Sequence, residues 1–349
     1  MLTMFAIAAK ASRAHHRCVP FIRVFSTHSG SSFQSSPFQE SIEAAIAGKS
    51  YQQIPSILNS WKRVLHDEKK NPFSFLSKFS SKNRARKVDG ILQTFAHVRP
   101  RPQSYIGYEL LLLYTLQSSE PFPIALMVLQ QTLRAGCSPA PETQMILSSA
   151  CLDHRCRFQC VGDMFLDMKS NGYRPDCGTC NYIISSLCAV DQLDDAIEVL
   201  GWMTGVTCIP DLDSFCPVIV ALCKERRTAE ALEMMKEMVA KFRLSPRQSL
   251  LVKLTSSLRA NKEMWRAVEM IEFFEEKGFY VGFESYELVI EGCLEHAEFL
   301  LAGKISIRMA QNGFIPYIKV RQKVVEGLIS AGEWHLACAL RHRFAELDS

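Results

Sequence analysis

The sequence predicts an all-α fold, a right-handed superhelical solenoid of helix-turn-helix repeats about 35 residues long. Three recurrences predict it. Pro139, Pro175, Pro210, Pro246 and Pro316 stand 36, 35, 36 and 70 residues apart, and Val281 occupies the midpoint of the long interval. Three residues before this position stand Gly136, Gly172, Gly278 and Gly313, with Thr207 and Arg243 where the glycine is lacking. About fourteen residues before it runs a small-residue ladder of Ala125, Val161, Ala196, Ala267 and Ala302 that passes near Ala231 and Ala337, while Met168, Met203 and Met309 fall seven residues before it. A fixed period of this length marks a stacked array, in which one helix pair cannot bury its own apolar face and neighbouring copies must cover it.

Residues 177–211 form the clearest unit. Tyr182, Ile183, Ile184 and Leu187 lie at helical spacing in its first half, and Leu193, Ala196, Ile197, Val199, Leu200 and Met203 do so in its second. Residues 189–192 supply a break between the two helices. Ile209-Pro210-Asp211 closes the unit, because the residue before a proline is pushed out of the α region. The recurring glycine sits just past the last apolar residue, the position of a left-handed helix cap. Ala196 stands where the two helices must approach each other.

Cys180-Asn181-Tyr182-Ile183-Ile184-Ser185-Ser186-Leu187-Cys188, followed by Leu193-Asp194-Asp195-Ala196-Ile197-Glu198-Val199-Leu200 and Ile209-Pro210-Asp211, resembles the pentatricopeptide repeat. Ala221-Leu222-Cys223-Lys224 with residues 229–238 resembles the next copy. The resemblance covers 105–349 as about seven units, and those opening near Phe283 and Ile318 keep the spacing with little of the sequence. Val88, fourteen residues before Pro102, points to a further cryptic unit within 40–104, a degenerate basic helical region. The tetratricopeptide repeat has a period of about 34 and a Trp-x-x-Leu-Gly opening, which no helix start here carries.

The apolar residues, 48% of 349, follow the repeat, and the run around Leu110–Leu113 falls far short of a membrane span. Residues 1–39 contain Lys10, Arg13, Arg17 and Arg23 and no acidic residue, the composition of an organellar transit peptide. Arg23-Val24-Phe25-Ser26 resembles a mitochondrial processing site with cleavage near 25–26, so the expected compartment is the mitochondrion, with the plastid as alternative.

Loss of that leader takes four basic residues from a chain with 40 basic and 36 acidic ones, leaving 36 against 36 and excluding a bulk polycation. Charge is polarised instead. Residues 62–101 hold eleven Lys and Arg against Asp67, Glu68 and Asp89, whereas 105–349 carry 24 basic and 31 acidic residues. Phosphate contacts are therefore expected toward the amino end, at Lys82, Arg84, Arg86 and Lys87.

Ten of the thirteen cysteines lie between Cys137 and Cys223, and Cys177 and Cys180 have CxxC spacing. A second CxxC is absent, and Cys188, Cys223 and Cys293 fall where a small apolar residue is expected, so packing rather than metal binding is the reading. Some family members carry a zinc deaminase with H-x-E and P-C-x-x-C motifs. His296-Ala297-Glu298 matches only the first string, within an expected repeat helix. No catalytic residue, metal site or cofactor is expected.

The resemblance implies that the fifth and last residues of each unit read a base of single-stranded RNA. In the best unit these are Asn181 and Asp211, a pair that the family's code associates with uracil. Elsewhere the positions hold Leu110 with Ala140, Met145 with Asp176, Cys216 with Arg247, Val252 with Gly282, and Glu287 with Tyr317, where Glu287 is expected to repel phosphate. Two functions follow: noncatalytic binding of organellar RNA in transcript processing, stability or translation, or a helical scaffold for organellar proteins in a ribosomal or processing assembly.

Overall fold

The computed structural model describes residues 37–64, 71–118, 122–155, 165–166, 168–169, 172–205 and 208–348. The expected cleavage site, together with Val161 and Thr207, lies outside these residues. Helices α1 (Pro37–Ala47), α2 (Ile54–Val64) and α3 (Ser81–His97) come first. Then follow α4 (Tyr105–Gln117) with α5 (Phe122–Arg134), α6 (Pro141–Arg155), α7 (Cys177–Ala189) with α8 (Leu193–Gly205), and α9 (Leu212–Lys224) with α10 (Thr228–Phe242). The last three pairs are α11 (Gln248–Ala260) with α12 (Met264–Glu276), α13 (Phe283–Glu295) with α14 (Phe299–Gln311), and α15 (Ile318–Ser330) with α16 (Trp334–Asp348). The partner of α6 is described only around Phe165 and Met168, both buried. No strand occurs among the described residues.

First helices begin at 105, 141, 177, 212, 248, 283 and 318, steps of 36, 36, 35, 36, 35 and 35. Each packs on the first helix of the next unit, and α12, α14 and α16 pack in succession as second helices. The result is the all-α repeat solenoid that the spacing predicts. Its interior is continuous: Leu187, Ala196, Met203, Ile219, Ala231, Ile271, Ala302 and Leu328 belong to one apolar cluster. The alanine ladder is buried throughout, at Ala125, Ala196, Ala231, Ala267, Ala302 and Ala337, where a larger side chain would push paired helices apart.

Two sets of left-handed residues terminate the helices. Gly136, Gly172, Gly278 and Gly313 have φ between 75° and 83° at the ends of second helices, and Arg243 adopts φ 54° in the unit without glycine. First helices end on Asp191, Arg226, Lys262, Ala297 and Gly332, all at positive φ and 35 or 36 residues apart. Only the last of these is glycine, so this register is invisible to a search for glycines. Ala297 corrects one expectation: His296-Ala297-Glu298 is the turn between α13 and α14, not part of a helix, and the His296 ring lies 2.8 Å from the Gly292 carbonyl.

Small residues also recur at the tenth position of first helices, as Ser186, Ala221, Ser257, Gly292 and Gly327. The reason is close approach by the preceding second helix. A Cβ on Gly327 would lie 2.1 Å from the Phe299 ring, and one on Gly292 would lie 2.6 Å from the Met264 sulfur.

The basic amino-terminal region follows the same stacking with a longer connection. Helix α2 packs on α4 and α3 packs on α5, first on first and second on second, with residues 65–80 between α2 and α3. Val88 is fully buried on α3, as its alanine-ladder position requires. Arg84 departs from the expectation of a phosphate contact. It is 6% exposed, and its guanidinium donates to the carbonyls of Leu76 (3.1 Å), Ser77 (3.3 Å) and Phe79 (2.9 Å), fastening the turn before α3.

Two stability outcomes follow from these contacts. Arg84→Gln leaves buried carbonyls without their donor and is expected to lower stability by about 2–4 kcal/mol in denaturant unfolding; a loss below 0.5 kcal/mol would contradict the structural role. Gly278→Ala, whose Cβ meets nothing within 4 Å, is expected to cost ~1 kcal/mol from backbone strain alone, whereas Arg243→Gly is expected to be neutral or stabilising by up to ~1 kcal/mol.

Candidate nucleic-acid interface

Helix α9 begins at Asp211 because that side chain caps it. Asp211 Oδ1 accepts from the amides of Asp213 and Ser214, both at 3.0 Å, and the Ser214 hydroxyl accepts from the Asp211 amide at 3.0 Å, which makes a capping box. The same carboxylate reaches back one repeat. Asn181, four residues into α7, donates through Nδ2 to Asp211 Oδ1 at 2.9 Å and accepts at Oδ1 from the Ser214 hydroxyl at 2.6 Å. Cys177 Sγ donates to Asp211 Oδ2 at 3.2 Å and lies 3.6 Å from Asn181 Nδ2. The two predicted reading residues therefore meet in space although 30 positions apart, and both are half-buried.

Burial pushes the Asp211 carboxyl upward in pKa, but the hydrogen bonds from Cys177, Asn181 and Ser214 outweigh it and hold the group below the ordinary carboxylate value. Asp176, the cap of α7, is lowered in the same way: burial opposes, while Thr179 and Arg134 prevail. An ionised Asp211 fixes which end of the Asn181 amide donates toward it. Ser214 and Cys177 carried no reading role in the sequence analysis. The Asp-x-x-Ser spacing of 211 and 214 is the signal that identifies Ser214, since it is the spacing of a capping box.

The equivalent positions in other units do not reproduce this arrangement. Met145 is 58% exposed, and Leu110, Cys216 and Val252 are half-buried. Glu287 corrects another expectation, for it does not project toward a backbone of phosphates. It is 7% exposed, accepts from the Tyr317 amide at 3.4 Å, leaves Oε2 without a hydrogen-bond partner, and is raised in pKa by burial. Its partner position, Tyr317, is 65% exposed beside Ile318, and the Phe283 ring lies 5.2 Å away.

Charges in the array are matched between neighbours. Lys224 pairs with Asp191 (2.8 Å), Arg227 with Asp194 (2.8 Å), Arg247 with Asp213 (2.9 Å), Lys236 with Glu269 (2.7 Å), Arg259 with Glu291 (2.7 Å) and Arg308 with Glu275 (2.6 Å). Each bond spans one repeat, so these six cations are engaged by carboxylates of the adjoining unit. On α3 the situation differs: Lys82 and Arg86 are exposed, and half-buried Lys87 sits 4.5 Å above the Phe79 ring. Asp89, the acid of this stretch, accepts from the Tyr173 hydroxyl and ties α3 to the second repeat.

Among the described residues no group of three or more His, Cys, Asp or Glu is placed to hold a metal ion, and no helix is long and apolar enough to cross a membrane. Every described cysteine is free. Of the three cysteines expected to pack, Cys223 and Cys293 are buried and Cys188 is half-buried.

No protein-family model matches the chain. A pentatricopeptide repeat-containing protein of Arabidopsis thaliana is 50% identical over 338 residues, covering 97% of this chain and 96% of that protein. The small ribosomal subunit protein mS81 of Arabidopsis thaliana is 26% identical over 214 residues, 58% of this chain and 31% of that one. Among solved structures, the pentatricopeptide repeat protein PPR10 in complex with an 18-nt psaJ RNA element aligns with a TM-score of 0.43 and 18% identity, covering 88% of this chain and 46% of that chain. With half its residues shared along nearly the full length of the first relative, and with the paired helices and period described above, this chain belongs to the pentatricopeptide repeat family.

Proposed function

We propose that this protein is a noncatalytic organellar RNA-binding protein, acting on single-stranded transcripts in processing, stabilisation or translation. The observation that carries the reading is the Asn181–Asp211 pair. An amide offers a base edge both a donor and an acceptor, and here the Asp211 carboxylate and the Ser214 hydroxyl set its orientation. Lys82, Arg86 and Lys87 on α3 supply phosphate contacts; Arg84 does not. Because one base contact contributes ~1–3 kcal/mol, a single formed reader selects weakly, and affinity rests on backbone contacts. The mitochondrion is the proposed compartment, on the acid-free, arginine-containing leader.

A second reading, a helical scaffold in a ribosomal or processing assembly, is favoured by different residues. Apolar side chains fill most reading positions, and Tyr280, Tyr317 and Ile318 are exposed together at the turns around α13 and α15. The relative that is a small ribosomal subunit protein supports it.

Binding assays on oligonucleotides that differ at one base separate these readings. Asn181→Thr is expected to move preference at one position from uracil toward guanine with little change in total affinity. Replacing Lys82, Arg86 and Lys87 with Gln is expected to weaken all sequences alike and flatten the salt slope by about 2, at ~0.7 per phosphate contact on a single strand. If the wild-type protein binds no RNA, the scaffold reading takes over. Fusion of residues 1–60 to a fluorescent protein is expected to give mitochondrial signal; diffuse cytosolic fluorescence would overturn the compartment.

A further inference from the structure

A cavity of about 120 Å³ opens where the basic amino-terminal region meets the first repeat. The end of α3 contributes Phe95, the turn Arg101–Ser104 contributes both of its end residues, α4 contributes Tyr108, and the last turn of α5 contributes Gln131 and Arg134. The lining holds two guanidinium groups and no carboxylate. A water takes roughly 30 Å³ of liquid, so the cavity admits a group of about four to five non-hydrogen atoms. That is the size of a phosphoryl group, and too small for a nucleobase.

The polar side chains around this space are only partly engaged by the protein. Tyr108 is 1% exposed, its ring packs edge-on against Phe95 at 5.2 Å, and no described residue hydrogen-bonds its hydroxyl. A buried hydroxyl without a protein partner is costly unless something in the cavity meets it. Burial raises the Tyr108 pKa, with Cys137 adding to it and Arg101 and Arg99 opposing, so the group stays protonated and is a donor. Arg101, the last cation of the basic stretch, pairs with no described carboxylate. Its turn is held shut by the Ser104 hydroxyl, which donates to the Arg101 carbonyl at 2.8 Å. Arg134 gives Nε to Asp176 Oδ2 at 2.8 Å, which fixes the guanidinium and leaves its terminal nitrogens for another acceptor. Were these arginines there for packing, they would be spent on carbonyls, as Arg84 is.

We propose that this cavity binds a phosphate monoester, gripped by Arg101 and Arg134 with Tyr108 and Gln131 as neutral donors. The donors arrive from three elements, the turn, α4 and α5, and so surround an acceptor instead of lining up along one edge of it. A tetrahedral phosphate offers oxygens in all those directions, whereas a carboxylate presents two in one plane. Arginine adds paired, parallel bonds to such oxygens. The Phe95 ring walls one side with carbon, and excluding water there strengthens the attraction. A monoester enters with its terminal oxygens first and leaves its single substituent at the mouth. A diester would bring in a second substituent, for which the cavity has no room.

Two sources supply this group: the terminal phosphate of an RNA strand, or a small phosphorylated molecule. Assignment to RNA rests on the RNA-binding reading above. The site itself does not.

The test therefore starts with inorganic phosphate, titrated into full-length protein at constant ionic strength and followed by calorimetry, with acetate and chloride as controls. Wild type is expected to bind one phosphate per chain with a Kd of roughly 0.1–1 mM, and acetate at least about tenfold more weakly. Arg101→Gln is expected to lose at least about tenfold in phosphate affinity, and Tyr108→Phe about fivefold. Arg101 is exposed and Tyr108→Phe keeps the ring against Phe95, so both variants are expected to fold. Thermal melting over the same titration is expected to show a rise that saturates in wild type and is lost in Arg101→Gln. A rise that never saturates and is shared by both proteins is the mark of phosphate excluded from the surface, and it overturns the site. Acetate bound as tightly as phosphate overturns it too.

A short oligonucleotide is then compared with and without a terminal phosphate, at each end in turn. Binding at least about fivefold tighter for one phosphorylated form, with the advantage lost in Arg101→Gln, assigns the site to a strand end. Equal binding of all forms, with inorganic phosphate still bound, overturns the link to RNA and assigns the site to a small phosphorylated molecule. If no oligonucleotide binds while inorganic phosphate does, the RNA-binding reading fails and the phosphate site stands.

Discussion

No single helix pair in this chain can cover its own apolar face, and every other feature of the array answers to that constraint. The alanine ladder from Ala125 to Ala337 is fully buried because paired helices must touch along it. Gly292 and Gly327 exist where the preceding second helix presses Met264 and Phe299 against the next first helix. Left-handed residues recur at both helix ends, since each chain reversal must occupy few residues and return the next helix to the same face. Even the amino-terminal region conforms: α2 stacks on α4 and α3 on α5 despite the longer connection between α2 and α3.

The proposed reading site is built from the same parts that build the repeat. Asp211 caps α9, as Asp176 caps α7. Its second task, holding the Asn181 amide, requires only that the preceding first helix lie alongside, which stacking guarantees. A reader can therefore be lost without harm to the fold. Arg247 and Gly282 stand at the equivalent start of α11 and α13 and make no side-chain cap, yet those helices form. Fold and proposed recognition separate at this position: the helices stack with or without the amide–carboxylate bond that Asn181 makes to Asp211.

Electrostatics divides the molecule in another way. Within the array, cations face carboxylates one repeat away, and exposed pairs of this kind contribute ~0–1 kcal/mol each. On α3, Lys82 and Arg86 are exposed while Arg84 is buried among carbonyls. Residues two apart on one helix thus take opposite parts, one solvated and one structural, because a helix turns about 100° per residue.

Local and repeated features were legible before any coordinates. Period, helix pairs, glycine caps and the buried small residues depend on neighbours within a few positions, and repetition at 35 residues raises them above chance. The pairing of Asn181 with Asp211 was legible through resemblance. What escaped were contacts between residues about a repeat apart: Ser214 on Asn181, and Glu287 accepting from the Tyr317 amide. Arg84 escaped for a related reason, since a basic run records charge and not which side of the helix meets the preceding turn. The non-glycine left-handed residues Asp191, Arg226, Lys262 and Ala297 carry no compositional mark, because stacking of the helices on either side imposes their conformation. Composition and spacing specify which segments become helices and where they stop; which side chains then face one another is settled only when neighbouring repeats close upon each other and exclude water.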